Sequence, residues 1–258
     1  MKKVIAIFGV LAFTAGMAFA QENTSTVDQD GNNNKGFVEQ IGEVNDAIID
    51  QTGNNSTADI YQEGTNNEAY IEQWAGGNPS NPIFGYIHQE GDNNIARIDH
   101  QFDWNYNVRT YANIEQIGDE NKAYVAQQAH GHDAFITQHG NENWAGLDQR
   151  HGGSVATVDQ YGDNNQVASV DKSGGDLSFV AEESAYQHSS EITILQDGLG
   201  EGLGNNKVGF YQHNGAWADI SQTGVNNEAL LWQNGDHTST IMQNGNNNNA
   251  EVIQLNLP

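Results

Sequence analysis

The residues best suited to do chemistry in this chain are side-chain amides, which are abundant and regularly spaced. The sequence contains 33 Asn and 22 Gln among 258 residues. Gln40, Gln51 and Gln62 follow one another at intervals of eleven residues, and the same interval separates Gln116 from Gln127. A side-chain amide both donates and accepts hydrogen bonds, so amides that a repeat brings together can bond to one another in a column. The spacing therefore indicates repeated hydrogen bonding between units of the chain.

Each interval follows the template Q-x-G-x-x-N-x-A-x-I-x-Q, as from Gln40 to Gln51 and from Gln222 to Gln233. The Asn, Ala, Ile and Gln positions alternate, which places these four side chains on one face of a β-strand. The glycine precedes Asn or Asp, as in Gly64-Thr65-Asn66, and this combination favours a turn. Because each recurring glycine would weaken a helix by about 1 kcal/mol, the predicted unit is strand, turn, strand, turn.

A single strand of this kind cannot bury itself, so successive strands must face each other and stack on the next pair, about 4.8 Å further along. We therefore predict an all-β fold, a two-sheet parallel β-solenoid of roughly nine or ten coils with the cross-β arrangement of amyloid. Inward amides then form ladders in which every copy is paired except at the ends.

The predicted ladder glutamines are Gln29, Gln40, Gln51, Gln62, Gln73, Gln89, Gln116, Gln127, Gln138, Gln149, Gln160, Gln196, Gln212, Gln222, Gln233, Gln243 and Gln254, and His100 takes one Gln position. The predicted ladder asparagines are Asn34, Asn45, Asn67, Asn94, Asn121, Asn143, Asn165, Asn227 and Asn248. The predicted turn glycines are Gly31, Gly42, Gly53, Gly64, Gly91, Gly118, Gly140, Gly162, Gly224, Gly235 and Gly245.

The first twenty residues differ from the rest of the chain. Lys2 and Lys3 precede an apolar stretch, and Ala18-Phe19-Ala20 has the small-x-small pattern of a cleavage site. Residues 1–20 are therefore predicted to be a secretory signal peptide, and no later apolar run approaches the length of a membrane span.

Residues 21–258 are predicted to form the solenoid. Longer Gln-to-Gln intervals predict loop insertions near 74–84, 101–110 and 198–205. The stretch 172–190 is predicted to be a degenerate coil, because Lys172 and Glu183 stand where Gln is expected.

Composition restricts the possible partners. Acidic residues number 34 against 9 basic ones, a net charge of -25, which argues against nucleic acid and against a basic membrane-surface patch. The chain has no Cys, so thiol nucleophiles and Fe–S clusters are excluded. The acids spread along the outer face and form no convergent pair, so no enzyme activity and no cofactor are expected. His130 and His132 share a strand face, but the interval around them keeps its length, which favours a variant turn over a metal site.

The repeated template resembles the curlin repeat of curli subunits, from about Ser25 to Gln254. The resemblance implies a secreted structural protein that polymerises into amyloid fibres on the bacterial surface for adhesion and biofilm matrix. It also implies three partners, namely further copies of the chain, a nucleator subunit and an outer-membrane secretion channel. The chain lacks the Gly-rich leader of familiar members, so residues 21–28 are expected to serve in export.

Two alternatives to a major fibre subunit follow from the sequence. A minor nucleator of the same fibre would have a basic, degenerate end repeat, whereas the repeat from Gln243 to Gln254 is regular and contains no base. A monomeric ligand-binding solenoid would show a nine-residue calcium-binding period or ranked ice-binding threonines. The period here is eleven, and only Thr238 and Thr240 approximate such a rank. With so many acids, polymerisation is expected to accelerate in acid or added salt.

Overall fold

A computed structural model describes residues 22–75, 82–101, 109–129, 131–150, 152–173, 176–180, 184–198 and 204–256. The predicted signal peptide lies outside the described residues. So do the central parts of the three predicted loop insertions and residues 174–175 and 181–183 of the predicted degenerate coil.

The described residues form twenty-one β-strands in two sheets. The first sheet contains β1 (Thr24–Asn32), β3 (Asp46–Asn54), β5 (Glu68–Trp74), β7 (Ile95–Gln101), β9 (Lys122–Gln128), β11 (Trp144–Arg150), β13 (Gln166–Ser173), β17 (Lys207–His213), β19 (Glu228–Asn234) and β21 (Asn249–Leu255), with β14 (Asp176–Val180) and β15 (Ala185–His188) attached at the level of β13. The second sheet contains β2 (Lys35–Glu43), β4 (Ser56–Thr65), β6 (Ile83–Glu90), β8 (Thr110–Ile117), β10 (Asp133–His139), β12 (Val155–Tyr161), β16 (Glu191–Asp197), β18 (Trp217–Thr223) and β20 (Thr238–Asn244). Odd and even strands thus alternate between the sheets.

Neighbouring strands of the solenoid are parallel and place like residues over like. In the first sheet Ala47 pairs with Ala69 and Gln51 with Gln73, and the same register recurs from strand to strand. Each level adds one strand to each sheet, so the chain climbs as a flat coil. This arrangement confirms the predicted two-sheet parallel β-solenoid.

The core is a thin layer of Ala and Ile between the two sheets. Ala58, Ile60, Ala112 and Ile114 are examples, each at most 1 % exposed, and they belong to one continuous apolar cluster. The larger and smaller side chains alternate along each strand, which lets the sheets approach closely. The Gln positions border this layer and are equally buried in the middle of the solenoid.

One level departs from the predicted pattern. The chain leaves the first sheet after Ala168, forms an antiparallel hairpin of β13 and β14, and returns as β15. Lys172 pairs with Leu177 within this hairpin, so the prediction that it occupies a Gln position is wrong. Gln187 stacks beside Gln149 instead. The eleven-residue interval does not predict the position of Gln187, because the hairpin of β13 and β14 adds residues without adding a level to the solenoid.

The two corners of the coil differ in regularity. The turns that lead from the second sheet to the first keep the Gly-x-x-Asn spacing at most levels, as from Gly118 to Asn121. The connections that lead from the first sheet to the second vary in length, and eight residues separate β5 from β6 and β7 from β8. The described strands on either side of these two connections keep the regular pairing of both sheets.

Candidate functional site

The second sheet contains a continuous column of nine buried or half-buried glutamines. In every pair the Nε2 atom of one Gln donates to the Oε1 atom of the Gln at the next level, over distances of 2.8–3.0 Å. The same Nε2 also donates to a backbone carbonyl of the facing strand, as from Gln116 to Ile95 at 3.1 Å. Both N–H bonds of each amide before Gln243 are thus used inside the stack, which removes the penalty for burying an amide. The members are Gln40, Gln62, Gln89, Gln116, Gln138, Gln160, Gln196, Gln222 and Gln243.

The first sheet contains a second column of the same polarity, with two interruptions. The members are Gln29, Gln51, Gln73, His100, Gln127, Gln149, Gln187, Gln212, Gln233 and Gln254. Hydrogen bonds of 2.6–2.9 Å join neighbouring glutamines at six steps. The buried Oε1 atoms of Gln127 and Gln212 have no hydrogen-bond partner, which marks the two interruptions.

Gln187 is a column member that the sequence reasoning missed. A signal for it is present, because Tyr186-Gln187-His188 repeats the tripeptide Tyr211-Gln212-His213. The structure stacks these two segments in register. The two tyrosine rings lie 5.0 Å apart and nearly parallel, and the two histidine rings lie 4.1 Å apart.

His100 is the only non-amide in either described column. Gln73 Nε2 lies 3.5 Å from His100 Nδ1, while His100 Nε2 is buried without a hydrogen bond. The facing strand has Gly85 at an Ala position. A Cβ atom there would lie 3.0 Å from Ile71 Cγ2 and 3.2 Å from Gln73 Nε2, but at an ordinary contact distance of 3.6 Å from His100 Cε1. Burial lowers the pKa of His100 to about 3, and the adjacent Gln127 amide offsets only part of that effect.

A column of asparagines lines the corner that leads into the first sheet. Its polarity is opposite to that of the glutamines, because each Asn donates to the level before it. Asn121 donates from its backbone N and from Nδ2 to Asn94 Oδ1, at 3.0 and 3.1 Å. Its Nδ2 also donates to the carbonyl oxygen of Gly140 at 2.7 Å. The column contains Asn23, Asn45, Asn67, Asn94, Asn121, Asn143, Asn165, Asn206, Asn227 and Asn248. Asn23 and Asn206 were not predicted.

Asn34 lies at the opposite corner, where the column residues differ. The level after Asn34 has Ser56, whose backbone N donates to Asn34 Oδ1 at 3.1 Å. Later levels of that corner have His132 and Ser154, and Ser154 N lies 3.3 Å from His132 Nδ1. The continuous asparagine column is therefore confined to one corner.

The turn glycines belong to the asparagine corner and to its counterpart. All eleven predicted positions have φ between 94° and 124°, a region that L side chains rarely adopt. At Gly118 a Cβ atom would overlap the carbonyl oxygen of Gly140 at the next level. That carbonyl is the one that Asn121 Nδ2 binds, so glycine permits both the turn and the stacking.

The outer face of the first sheet has a column of acids near the first end of the solenoid. Asp28, Asp50, Glu72 and Asp99 occupy successive levels of one register position. Burial raises the pKa of Asp50, and the charges of Asp28 and Glu72 raise it further. Arg97 partly compensates, since its guanidinium lies 3.5 Å from Glu72 and 4.7 Å from the centre of the Tyr70 ring. Stacked levels therefore repel one another electrostatically on this face.

The outermost strands of the solenoid have unpaired edges. The first sheet ends at β1 and β21, and the second sheet ends at β2 and β20. The core face of these strands is less buried than elsewhere, and Gln243 is 7 % exposed where most column glutamines are fully buried. Several apolar side chains near these ends are exposed, including Met242 at 80 % and Leu255 at 43 %.

Among the residues that the structure describes, no group of three His, Asp or Glu side chains could hold a metal ion, and His130 lies outside these residues. Within the same ranges there is no helix with the length and apolar character needed to cross a bilayer.

Comparison with known proteins places the repeat in a family. A family model described as the curlin associated repeat matches residues 20–53, 53–79 and 111–140. A search of curated proteins finds no match to the chain. Curlin-repeat proteins are structural subunits of extracellular curli fibres, and theirs is not a family of enzymes. The three matches, within a chain of stacked eleven-residue units, support a protein of the curlin-repeat family.

Proposed function

We propose that this chain is the major subunit of an extracellular functional amyloid fibre for surface adhesion and biofilm matrix, and that it polymerises through the two ends of its solenoid. The observation that carries the proposal is the pair of open ends, β1 with β2 and β20 with β21. Strand edges of this kind pair readily with another chain. Solenoids that remain monomeric use a polar capping repeat, and within the described residues no element pairs with the outer edges of these four strands.

The direction of the glutamine columns supports head-to-tail addition. Each glutamine that bonds along a column donates from Nε2 toward the level that follows it, and the same orientation at Gln243 and Gln254 directs an N–H out of the last level. Gln29 and Gln40 are the first of their columns, so no described glutamine precedes their Oε1 atoms. Donors at one end of a copy thus meet acceptors at the opposite end of the next copy. Head-to-head contact would instead oppose acceptor to acceptor.

The backbone N–H groups at the edge of β20 also point out of the last level. In β18, Trp217 N donates forward to the carbonyl oxygen of His237 at the next level. At the end of β21, Asn256 N donates backward to the carbonyl oxygen of Asn234. Successive residues of a parallel strand bond to alternate neighbours. Because Thr240 lies two residues after the position equivalent to Trp217, its N–H points out of the solenoid and away from β18.

The acid column on the outer face delays the start of polymerisation. Like charges at successive levels oppose assembly until a partner, salt or acid neutralises them. Charged residues that flank aggregation-prone strands act as gatekeepers in this manner. We infer that the acids delay polymerisation during export, for which a nucleator subunit and an outer-membrane secretion channel are the partners that the family implies.

A proline at Thr240 tests the proposal. T240P removes an N–H that only the next copy would use, and edge strands tolerate proline where the N–H faces outward. T240A is the matched control, since it also removes the hydroxyl but keeps the N–H. The measurement is the mass of fibre formed by wild-type chain, from residue 21 onward, in the presence of a small fraction of either variant.

T240P is expected to join growing ends and stop further addition, so that a small fraction of it lowers the fibre yield, whereas T240A leaves the yield unchanged. Equal yields with the two variants would show that fibres do not grow through β20. A folded, monodisperse wild-type protein that forms no fibre would favour the monomeric ligand-binding solenoid.

A further inference from the structure

The two sheets of the described solenoid end at different heights. The first sheet has ten levels, counting β13 and β15 as one, and the second sheet has nine. The last strand, β21, therefore stands one half-coil beyond β20. A following copy that begins with β1 must be placed on this uneven end.

Two placements are compatible with head-to-tail addition. In a straight placement β1 of the next copy extends the first sheet on β21, and its β2 belongs to the second sheet one half-coil higher. A strand is then missing between β20 and that β2, and both edges stay unpaired. In a half-turn placement the next copy is rotated by half a turn about the long axis. Its β1 then pairs with β20 and its β2 with β21, so both sheets continue without a gap. The rotation also reverses strand direction, which keeps the pairs parallel.

The residues of β1 and β20 match each other closely. When Gln29 is aligned with Gln243, Thr24-Ser25-Thr26 lies over Thr238-Ser239-Thr240, and Val27 lies over Ile241. Inside the solenoid such like-on-like stacking is the rule at the inward positions. The straight placement would keep Val27 over Val252 but set Thr26 against Glu251, and Asp28 faces an apolar side chain in either placement, Met242 or Ile253.

The inward residues of β2 and β21 match in the same register, although Phe37 lies over Glu251 and Glu39 over Ile253. Alignment of Gln40 with Gln254 places Val38 over Val252 and the exposed Ile41 over the exposed Leu255. The straight placement would put Asp30 over Leu255.

The corner residues fit the half-turn as well. Rotation brings Asn34 of the next copy onto Asn248, the last member of the asparagine column. Asn34 would then continue the asparagine column, as Asn23 would in the straight placement. Asn23 of the next copy meets His237, whose buried Nε2 has no hydrogen-bond partner.

We propose that successive copies of this chain in the fibre are related by a half-turn about the fibre axis, with β1 on β20 and β2 on β21 of the preceding copy. The inference rests on the proposed function, because it specifies how the open ends meet. One consequence is that the acid column and the hairpin of β13 and β14 alternate from side to side along the fibre.

Cross-linking between engineered cysteines distinguishes the placements, since the chain has no cysteine of its own. Asp28 is outward and would neighbour Met242 after a half-turn, or Ile253 in the straight placement. Neighbouring strands are about 4.8 Å apart, within reach of a disulfide or a short bifunctional thiol reagent. Fibres of D28C/M242C and of D28C/I253C are grown under reducing conditions, treated, dissolved and separated by size. The single variants report lateral contacts, which produce dimers at most.

The half-turn predicts covalent multimers larger than dimers from D28C/M242C and none from D28C/I253C. The reverse pattern, or fibres in which neither variant forms such multimers, overturns the half-turn but leaves the fibre function intact. Failure of the wild-type chain to form fibres overturns the proposed function and this inference together. If the substitutions at Asp28 prevent assembly, T26C/T240C and T26C/E251C test the same two registers at neutral positions of β1.

Discussion

The buried His100 predicts a defined loss of stability in acid. The unfolded chain binds a proton at this histidine below its ordinary pKa of 6.5, whereas burial lowers the pKa of His100 in the solenoid to about 3. Between these two values the unfolded state binds more protons, so stability falls as the pH falls. H100Q removes the titrating group and supplies an amide that can accept from Gln73 and donate to Gln127.

The magnitude follows from the difference in pKa. At pH 5, about 1.5 units below 6.5, the folded state loses about 2 kcal/mol relative to pH 8, at about 1.4 kcal/mol per unit. If folding and assembly are coupled, this energy appears in the critical concentration for fibre formation. A loss of about 2 kcal/mol raises that concentration about thirtyfold.

The assay compares the critical concentrations of wild type and H100Q at pH 5 and pH 8. Acid also relieves the repulsion of the outer carboxylates, but it does so equally in both proteins. The ratio of critical concentrations, pH 5 over pH 8, should therefore be about thirtyfold higher for wild type than for H100Q. H139Q alters a histidine whose side chain is 37 % exposed and should behave as wild type. Equal ratios for wild type and H100Q would refute the reasoning that the imidazole is buried and neutral.

Three further substitutions test other parts of the structure. G118A should abolish assembly because its Cβ would overlap the backbone of the next level. G153A, at a glycine with φ 74° and no atom within 4 Å of the added Cβ, should reduce the stability of the folded state by only about 1 kcal/mol. Similar critical concentrations for the two variants would argue against close stacking of the turn glycines. D50N should shorten the lag of fibre formation at pH 8 and weaken its dependence on salt, because it breaks the acid column; an unchanged lag would remove the acids from the kinetic account. F210A should make assembly less favourable by about 3–5 kcal/mol, because Phe210 is fully buried. F37A should have little effect, since that side chain is 56 % exposed. If both variants lowered the denaturant concentration that dissolves the fibres by the same amount, the buried packing of Phe210 would be contradicted.

The regular part of the fold could be predicted because spacing and chemistry agree at each level. The eleven-residue interval places Gln51 beside Gln73, and both an alternating face and a turn glycine support the same strand. The hairpin of β13 and β14 could not be predicted in this way, since a detour of unknown length breaks the interval. Gln187 was missed for that reason, although its neighbours Tyr186 and His188 repeat those of Gln212.

The finer features of the site depend on packing across the two sheets. The template treats all half-repeats alike, and only the three-dimensional corners show that asparagines stack continuously from Asn45 onward while Ser56 and His132 line the other corner. Likewise, the sequence shows that His100 replaces a glutamine. That its ring is buried opposite Gly85 follows from the register of facing strands.

Fibre diffraction tests the central claim most directly. The chain from Gln21 to Pro258 would be purified in denaturant, desalted, incubated and pelleted, and X-ray diffraction recorded from the aligned pellet. A self-assembling solenoid predicts reflections near 4.8 Å along the fibre and near 10 Å across it. A clear solution of folded, monodisperse monomer, with no pellet that gives these reflections, would contradict polymerisation through the open ends.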